Sequence, residues 1–92
     1  MPWTWNADKG RRNKAKHGVS FDTARLVFGD PAHMTRPDHG QAEERWHTIG
    51  KPSASSPLVL LVVHTEVGDG GRIISARKAT RHERSSYEEG QF

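Results

Sequence analysis

The spacing of apolar residues divides the chain into a helical first part and an extended second part. Between residues 19 and 28 the apolar positions follow a helical period, with Phe21, Ala24, Val27 and Phe28 on one face. From about residue 32 the period becomes that of β-strands. The sequence therefore predicts an α+β domain with two N-terminal helices, a mainly antiparallel sheet and a C-terminal helix.

Capping residues predict where the first two helices begin and end. Asn6 is suited to cap a helix, and His17-Gly18 supplies a stop, so the first helix is predicted from Ala7 to His17. Ser20 is suited to cap the second helix, which Gly29-Asp30-Pro31 ends. Both helices should be short.

The apolar run Leu58–Val63 predicts the centre of the sheet. Its residues do not alternate with polar ones and are rich in β-branched side chains, which is typical of a strand that is covered on both faces. We expect Leu58, Leu60 and Val62 on one face and Val59, Leu61 and Val63 on the other. All six should be shielded from water.

Weaker patterns predict the remaining elements. Turn-forming residues separate the candidate strands, and a serine- and proline-rich stretch predicts a surface loop before the central strand. Thr80 and Glu83 have the spacing of a capping box. The predicted segments are strands near Ala32–Thr35 and Arg45–Ile49, a turn at Pro37–Gly40, a loop at Gly50–Pro57, a turn at Gly68–Gly71, a strand at Arg72–Ala76 and a helix at Arg81–Glu89.

Length and composition describe one small domain with a thin core. The 92 residues are 33% hydrophobic, so stability is expected to be marginal without a partner. The absence of cysteine excludes disulfides, thiolate metal sites and a cysteine nucleophile. No apolar run approaches the ~20 residues that span a bilayer, and no signal peptide is recognisable. We expect a cytoplasmic protein that does not bind membranes.

Charge is distributed unevenly along the chain. Residues 1–28 contain six basic and two acidic residues, residues 29–70 three and six, and residues 71–92 five and three. If the fold brings the two basic ends together, they form a positive face suited to phosphates, which makes nucleic acid the leading partner class. The alternative is that these segments are ordinary solvated helices.

A series of short motifs resembles the BrnT family in order and spacing across about residues 3 to 89. The most specific part is the segment Arg72–Thr80 followed by Glu83, Arg84 and Tyr87. Two positions depart from the family pattern, because Asn6-Ala7 stands where Asp-Pro is common and Pro57 where arginine is frequent. The other motifs are Trp5, Asn13, Lys16–Phe21, Asp30-Pro31, Glu43–Arg45, Ile49-Gly50 and Val62–Thr65.

The resemblance implies a RelE-like fold and the function of a toxin that cleaves RNA in a bacterial toxin-antitoxin pair. It implies a cognate BrnA-like antitoxin that forms a hetero-oligomer with the toxin, while operator DNA is bound only through the antitoxin. Inhibition of translation and growth would follow from RNA cleavage. No cofactor is implied.

RNA can be cut without a metal if a base removes the 2′-hydroxyl proton, cations stabilise the phosphorane and an acid protonates the leaving oxygen. His17, beside Lys16, ends the first helix, where the helix dipole favours a protonated histidine that can act as an acid. Arg77 and Lys78 precede the last helix and are candidate phosphate ligands. The alternatives are a histidine that only caps the helix, and general surface charge.

Four more residues are candidate RNA contacts: Arg45, His64, Arg81 and Arg84. Arg45 could instead pair with Glu43 or Glu44, and His64 could be a satisfied histidine at the edge of the core. Glu83 is explained by the capping box, with a general-base role as the minority interpretation. The three tryptophans are more often core residues than platforms for bases.

The spacing of the six histidines does not resemble a metal site, and the Gly68–Gly71 segment lacks the lysine and the helix of a P-loop. We therefore expect a metal-independent endoribonuclease. The rival class is a non-catalytic module that binds nucleic acid or a protein through the same basic face.

Overall fold

The computed structural model describes residues 3–38, 40, 44–66 and 70–92. It is an α+β domain, and no helix of the described residues is long and apolar enough to cross a membrane. Along the chain the elements are β1 (Trp3–Thr4), α1 (Ala7–His17), α2 (Phe21–Ala24) with a 3-10 helix (Arg25–Gly29), β2 (Met34–Pro37), β3 (Trp46–Gly50), β4 (Leu60–His64), β5 (Gly71–Lys78) and α3 (Arg81–Glu88).

The five strands form one mixed sheet in the order β1-β5-β4-β3-β2. Strands β2 to β5 pair antiparallel with their neighbours, while β1 pairs parallel with β5. The prediction that the apolar run lies at the centre of a mainly antiparallel sheet is therefore confirmed. Strand β1 was not predicted, because a strand of two residues leaves no periodic pattern in the sequence. The predicted Pro37–Gly40 and Gly68–Gly71 turns lie partly outside the described residues.

The ends of α1 and the start of α3 are those predicted from their caps. The Asn6 side chain accepts a hydrogen bond from the Lys9 amide at 3.1 Å. After His17, Gly18 adopts the left-handed conformation, with φ 76°, and donates its amide hydrogen to the Lys14 carbonyl. At α3 both hydrogen bonds of the capping box between Thr80 and Glu83 are present. Each of these caps involves residues at most four positions apart, so the sequence alone was sufficient to predict the helix ends.

The second helix differs from its prediction. Ser20 caps it as predicted, since its hydroxyl accepts a hydrogen bond from the Thr23 amide at 3.1 Å. The α-helix lasts only from Phe21 to Ala24 and then tightens into a 3-10 helix. The residues Val27-Phe28-Gly29 favour an α-helix weakly, and short 3-10 segments are common at helix ends. The prediction of a continuous second helix was therefore wrong.

The two faces of β4 contribute to two hydrophobic clusters. On one face Leu60 and Val62 pack with the cluster formed by Val19, Phe21, Ala24, Val27, Ile73 and Ala76. On the other face Leu61 packs with Ile49 and Val59. The prediction that all six residues of the run are shielded was wrong for Leu58, which is 39% exposed, and Val63 is only half-buried. Strand β4 begins at Leu60, where pairing with Gly50 and Lys78 begins, so Leu58 lies in the preceding loop.

Asp30 connects three segments of the chain. Its carboxylate accepts hydrogen bonds from the Tyr87 hydroxyl at 2.6 Å and from the Lys51 and Ala32 amides at 2.8 Å. Burial opposes ionisation, but these hydrogen bonds outweigh it and lower the pKa of Asp30. Gly50 is required nearby, because a Cβ there would lie 2.9 Å from the Val27 side chain. Motif residues that are distant in sequence thus meet at one packed corner.

Helix α3 has no buried residue, in agreement with its polar sequence. Its contact with the corner at Asp30 is made by Tyr87, whose pKa is raised to about 12 by burial and by the hydrogen bond to that carboxylate. The helix is therefore attached through Tyr87, which hydrogen-bonds Asp30 and also packs against the cluster of Ile49, Val59 and Leu61.

Candidate active site

A shallow cleft of about 310 Å³, broadly open to solvent, lies between α1 and β5. Helix α1 supplies four basic side chains to its lining, and β5 supplies two uncharged residues. The N-terminal and C-terminal parts of the chain are therefore packed together, but the positive charge of this cleft comes from α1 alone, and β5 adds no basic side chain to it. The lining residues are Lys9, Arg12, Asn13, Lys16, His17, Ile74 and Ser75.

Asn13 fixes the position of α1 on the sheet. It is 8% exposed, and its side-chain amide donates hydrogen bonds to the Val19 carbonyl at 2.9 Å and the Ala76 carbonyl at 2.8 Å. Its side-chain oxygen accepts a hydrogen bond from the Ala76 amide at 3.1 Å. A buried amide with this many partners strongly favours one orientation of the helix. That orientation places the neighbouring basic residues along the edge of β5.

His17 and Lys16 occupy the last turn of α1 and share the cleft. His17 is half-buried and Lys16 is exposed. Both side chains therefore lie at the end of α1 where the helix dipole is negative. These two candidates are therefore brought together by the structure, as expected from their adjacent positions.

Arg77, by contrast, is not part of this cleft. Its guanidinium forms a bidentate ion pair with Glu83, with N–O distances of 2.8 and 3.0 Å. This hydrogen bonding is the main cause that lowers the pKa of Glu83 to about 2 and also raises the pKa of Arg77. Lys78 is exposed and likewise does not line the cleft. The ion pair of Arg77 with Glu83 thus joins the end of β5 to the first turn of α3.

The Arg77–Glu83 ion pair should make stability depend on pH. The pKa of Glu83 falls from its ordinary value of 4.5 to about 2 in the fold, so its contribution is complete above 4.5 and is lost as the pH falls towards 2. Glu83→Gln keeps a capping-box acceptor but removes the charge. We expect the variant to lose about 1 to 2 kcal/mol at neutral pH, after discounting for solvent screening. Its stability should vary less between pH 4.5 and 2, as measured by urea unfolding.

The matched control is Glu88→Gln. Glu88 pairs with Arg84 at 3.5 Å, and both side chains are about half exposed, so the same loss of charge should change little. Equal losses in the two variants would mean that the Arg77–Glu83 pair has no special role.

His64 lies in the core rather than on a surface available to RNA. It is 1% exposed, and burial lowers its pKa, which favours the neutral ring. The Thr65 carbonyl can only accept, so Nδ1 of His64 donates to it at 3.2 Å. Nε2 then accepts a hydrogen bond from the Thr48 hydroxyl at 2.7 Å. With Trp3 and Phe28 packed edge-on against the ring, His64 has the contacts of a structural residue.

The other three candidate RNA contacts lie outside the cleft. Arg45 is half-buried, and its Nε is buried without a hydrogen-bond partner among the described residues. Its suggested partner Glu43 lies outside the described residues. Arg81 is exposed on the first turn of α3, and Arg84 contacts Glu88. These side chains remain candidates for RNA contact.

Lys9 and Arg12 were missed as site residues. They stand at positions i and i+3 of a helix on which Lys16 and His17 are i+7 and i+8, so all four lie on one face. This spacing was present in the sequence and could have identified them.

Across the described part of the chain, no group of three histidine, aspartate or glutamate side chains is placed to hold a metal ion.

A small basic domain with four basic side chains lining one cleft has the charge pattern that is typical of proteins that bind phosphate-rich polymers. The comparison with protein families is specific. The family described as ribonuclease toxin, BrnT, of type II toxin-antitoxin system matches residues 5–83. The chain therefore belongs to the BrnT family of ribonuclease toxins, and membership in a type II system implies a protein antitoxin as its partner. No curated protein matches the chain.

Proposed function

We propose that the protein is a metal-independent endoribonuclease that cuts RNA in the cleft between α1 and β5. His17 transfers a proton, and Lys16 stabilises the charge that develops on the phosphate. The observation that carries this proposal is the position of His17 beside Lys16 in a cleft whose ionisable side chains are all basic. Family membership favours cleavage over simple binding.

The reaction needs only groups of the protein and of the RNA. A base takes the proton of the 2′-hydroxyl, the 2′-oxygen bonds to phosphorus, the bond from phosphorus to the 5′-oxygen breaks, and an acid protonates that oxygen. The products are a 2′,3′-cyclic phosphate and a 5′-hydroxyl. An imidazole such as that of His17 is able to fill either role near neutral pH. In this proposal the phosphate contacts outside the cleft come from Lys78, Arg45, Arg81 and Arg84. Arg77 contributes indirectly, because its ion pair with Glu83 holds the start of α3 against β5.

This mechanism predicts which substrates resist cleavage. Labelled RNA should be cut equally well with and without a chelator, and its products should carry cyclic or 3′-terminal phosphates. DNA, and RNA with a 2′-O-methyl group at the cut position, should remain intact because neither has the attacking hydroxyl. The products can be resolved by gel electrophoresis with phosphatase treatment. Cleavage of the methylated RNA would exclude the internal-hydroxyl mechanism, and loss of activity in chelator would exclude metal independence.

We further propose that a BrnA-like antitoxin neutralises the toxin by covering the basic face in a hetero-oligomer, and that operator DNA is bound only through the antitoxin. The support is the type II family together with the positive charge of α1. Competition between RNA and antitoxin for the toxin would test the shared surface, and independent binding would contradict it. RNA cleavage in the cytoplasm would then inhibit translation and growth.

The α+β architecture, with its antiparallel core sheet and C-terminal helix, supports a RelE-like fold.

A further inference from the structure

We propose that Lys9 and Arg12 form a phosphate-binding track that holds single-stranded RNA on one side of the cut. In this assignment the reacting phosphate lies at His17, and the neighbouring phosphates follow α1 towards its N-terminus. The inference rests on the proposed function, since it takes RNA as the substrate and His17 as the proton-transferring group. It adds two residues and a direction to that site.

The basic residues of α1 are divided between two faces of the helix. Lys9, Arg12, Lys16 and His17 line the cleft with Ile74 and Ser75. Arg11 and Lys14 line a separate groove with Asp22, and Arg11 forms an ion pair with Asp8. Among the described residues, neither aspartate nor glutamate lines the cleft, whereas the second face carries carboxylates beside its basic groups. The cleft face is therefore the one that attracts phosphates.

The hydrogen bonds of Asn13 hold this division in place. Asn13 lies on the cleft side of α1, donates a hydrogen bond to the Ala76 carbonyl and accepts one from the Ala76 amide. The helix therefore cannot rotate about its axis without breaking buried hydrogen bonds. The cationic face is thus presented beside β5 in a fixed orientation.

The shape of the track favours a single strand. Lys9 and Lys16 are seven residues apart, which corresponds to about 10 Å along the helix axis. This length accommodates more than one phosphate of an extended strand. Ile74 is a half-buried apolar residue of the cleft, and it offers a surface against which an unpaired base can rest. A base held in a duplex cannot use that contact.

The test compares variants that lose the same charge from opposite faces. Binding of a labelled single-stranded RNA that carries 2′-O-methyl groups throughout is measured at several salt concentrations. Lys9→Ala and Arg12→Ala should each weaken binding and reduce the slope of log K against log salt by about 0.7, the value for one phosphate contact with a single strand. Lys14→Ala and Arg11→Ala are the matched controls, and they should leave the slope unchanged.

A second measurement gives the direction of the track. Cleavable RNAs are shortened from either side of the cut, and kcat/KM is compared for the unmodified protein and Lys9→Ala. For the unmodified protein, kcat/KM should fall when the RNA is shortened on one side of the cut and not when it is shortened on the other. For Lys9→Ala, the same shortening should have little further effect. If RNA is cut but Lys9→Ala and Lys14→Ala behave alike, the track is wrong while the proposed function stands. If RNA is neither bound nor cut by the unmodified protein, the proposed function fails and the track with it.

Discussion

Replacement of His17 by alanine is expected to lower the rate of RNA cleavage by about 10²- to 10⁴-fold. This is the usual range when a group that transfers a proton in the transition state is removed. The side chain lies at the end of α1, where Gly18 terminates the helix without help from the imidazole, so folding should be unaffected. The measurement is kcat and KM on labelled RNA, with the loss expected in kcat.

The control for this variant is His82→Ala. His82 is an exposed histidine on α3 and is outside the cleft, so its replacement should leave the rate unchanged. Binding of 2′-O-methyl RNA should be nearly the same in both variants, because Lys16 and the other cleft cations remain. Full activity of His17→Ala would remove this histidine from the reaction, and loss of RNA binding would indicate that it acts as a ligand rather than in proton transfer.

Replacement of Leu60 by aspartate is expected to prevent folding. Leu60 is fully buried at the centre of the sheet, and aspartate would place a carboxylate without a partner among apolar side chains. The cost of several kcal/mol is comparable to the whole stability of a small domain. We expect neither a cooperative thermal transition nor a native circular dichroism spectrum.

Leu58→Asp supplies a matched control that is only two residues away. Leu58 is 39% exposed and precedes β4, so the same substitution should change the stability by no more than about 0.5 kcal/mol, as is usual at the surface. A normal melt for Leu60→Asp would mean that the central strand is not buried in solution. Equal damage in both variants would mean that Leu58 is covered there.

The features that the sequence predicted correctly depend on local interactions. The ends of α1 follow from Asn6 and Gly18, and the start of α3 follows from Thr80 and Glu83, since each cap acts within three or four residues. The two-sided burial of β4 was visible in an uninterrupted apolar run. In all these cases neighbouring residues carry the whole signal.

The features that were missed depend on partners far away in the chain. Burial of Leu58 could not be judged without the register that starts β4 at Leu60. The ion pair between Arg77 and Glu83 arises because the chain turns a corner between a strand and a helix. The buried position of His64 depends on Trp3 and Phe28, which come from other elements. Such contacts are set by tertiary packing, which a periodic pattern does not contain.

The sequence predicted only some of the residues that line the candidate site. His17 and Lys16 were found because a histidine at the end of a basic helix is chemically distinctive. Lys9 and Arg12 were missed although their helical spacing places them on one face with Lys16 and His17; what the spacing leaves open is which face of α1 lies beside the sheet. That choice is made by Asn13, whose hydrogen-bond partners lie far away in the sequence.

The hydrogen bonds between Asn13 and Ala76 join residues 63 positions apart, so the candidate site can be assembled only late in synthesis. The ribosome makes α1 early, with all its cations, but the wall of the cleft is made only when β5 follows. A nascent or interrupted chain that stops before Ala76 therefore carries the charged helix without an assembled site.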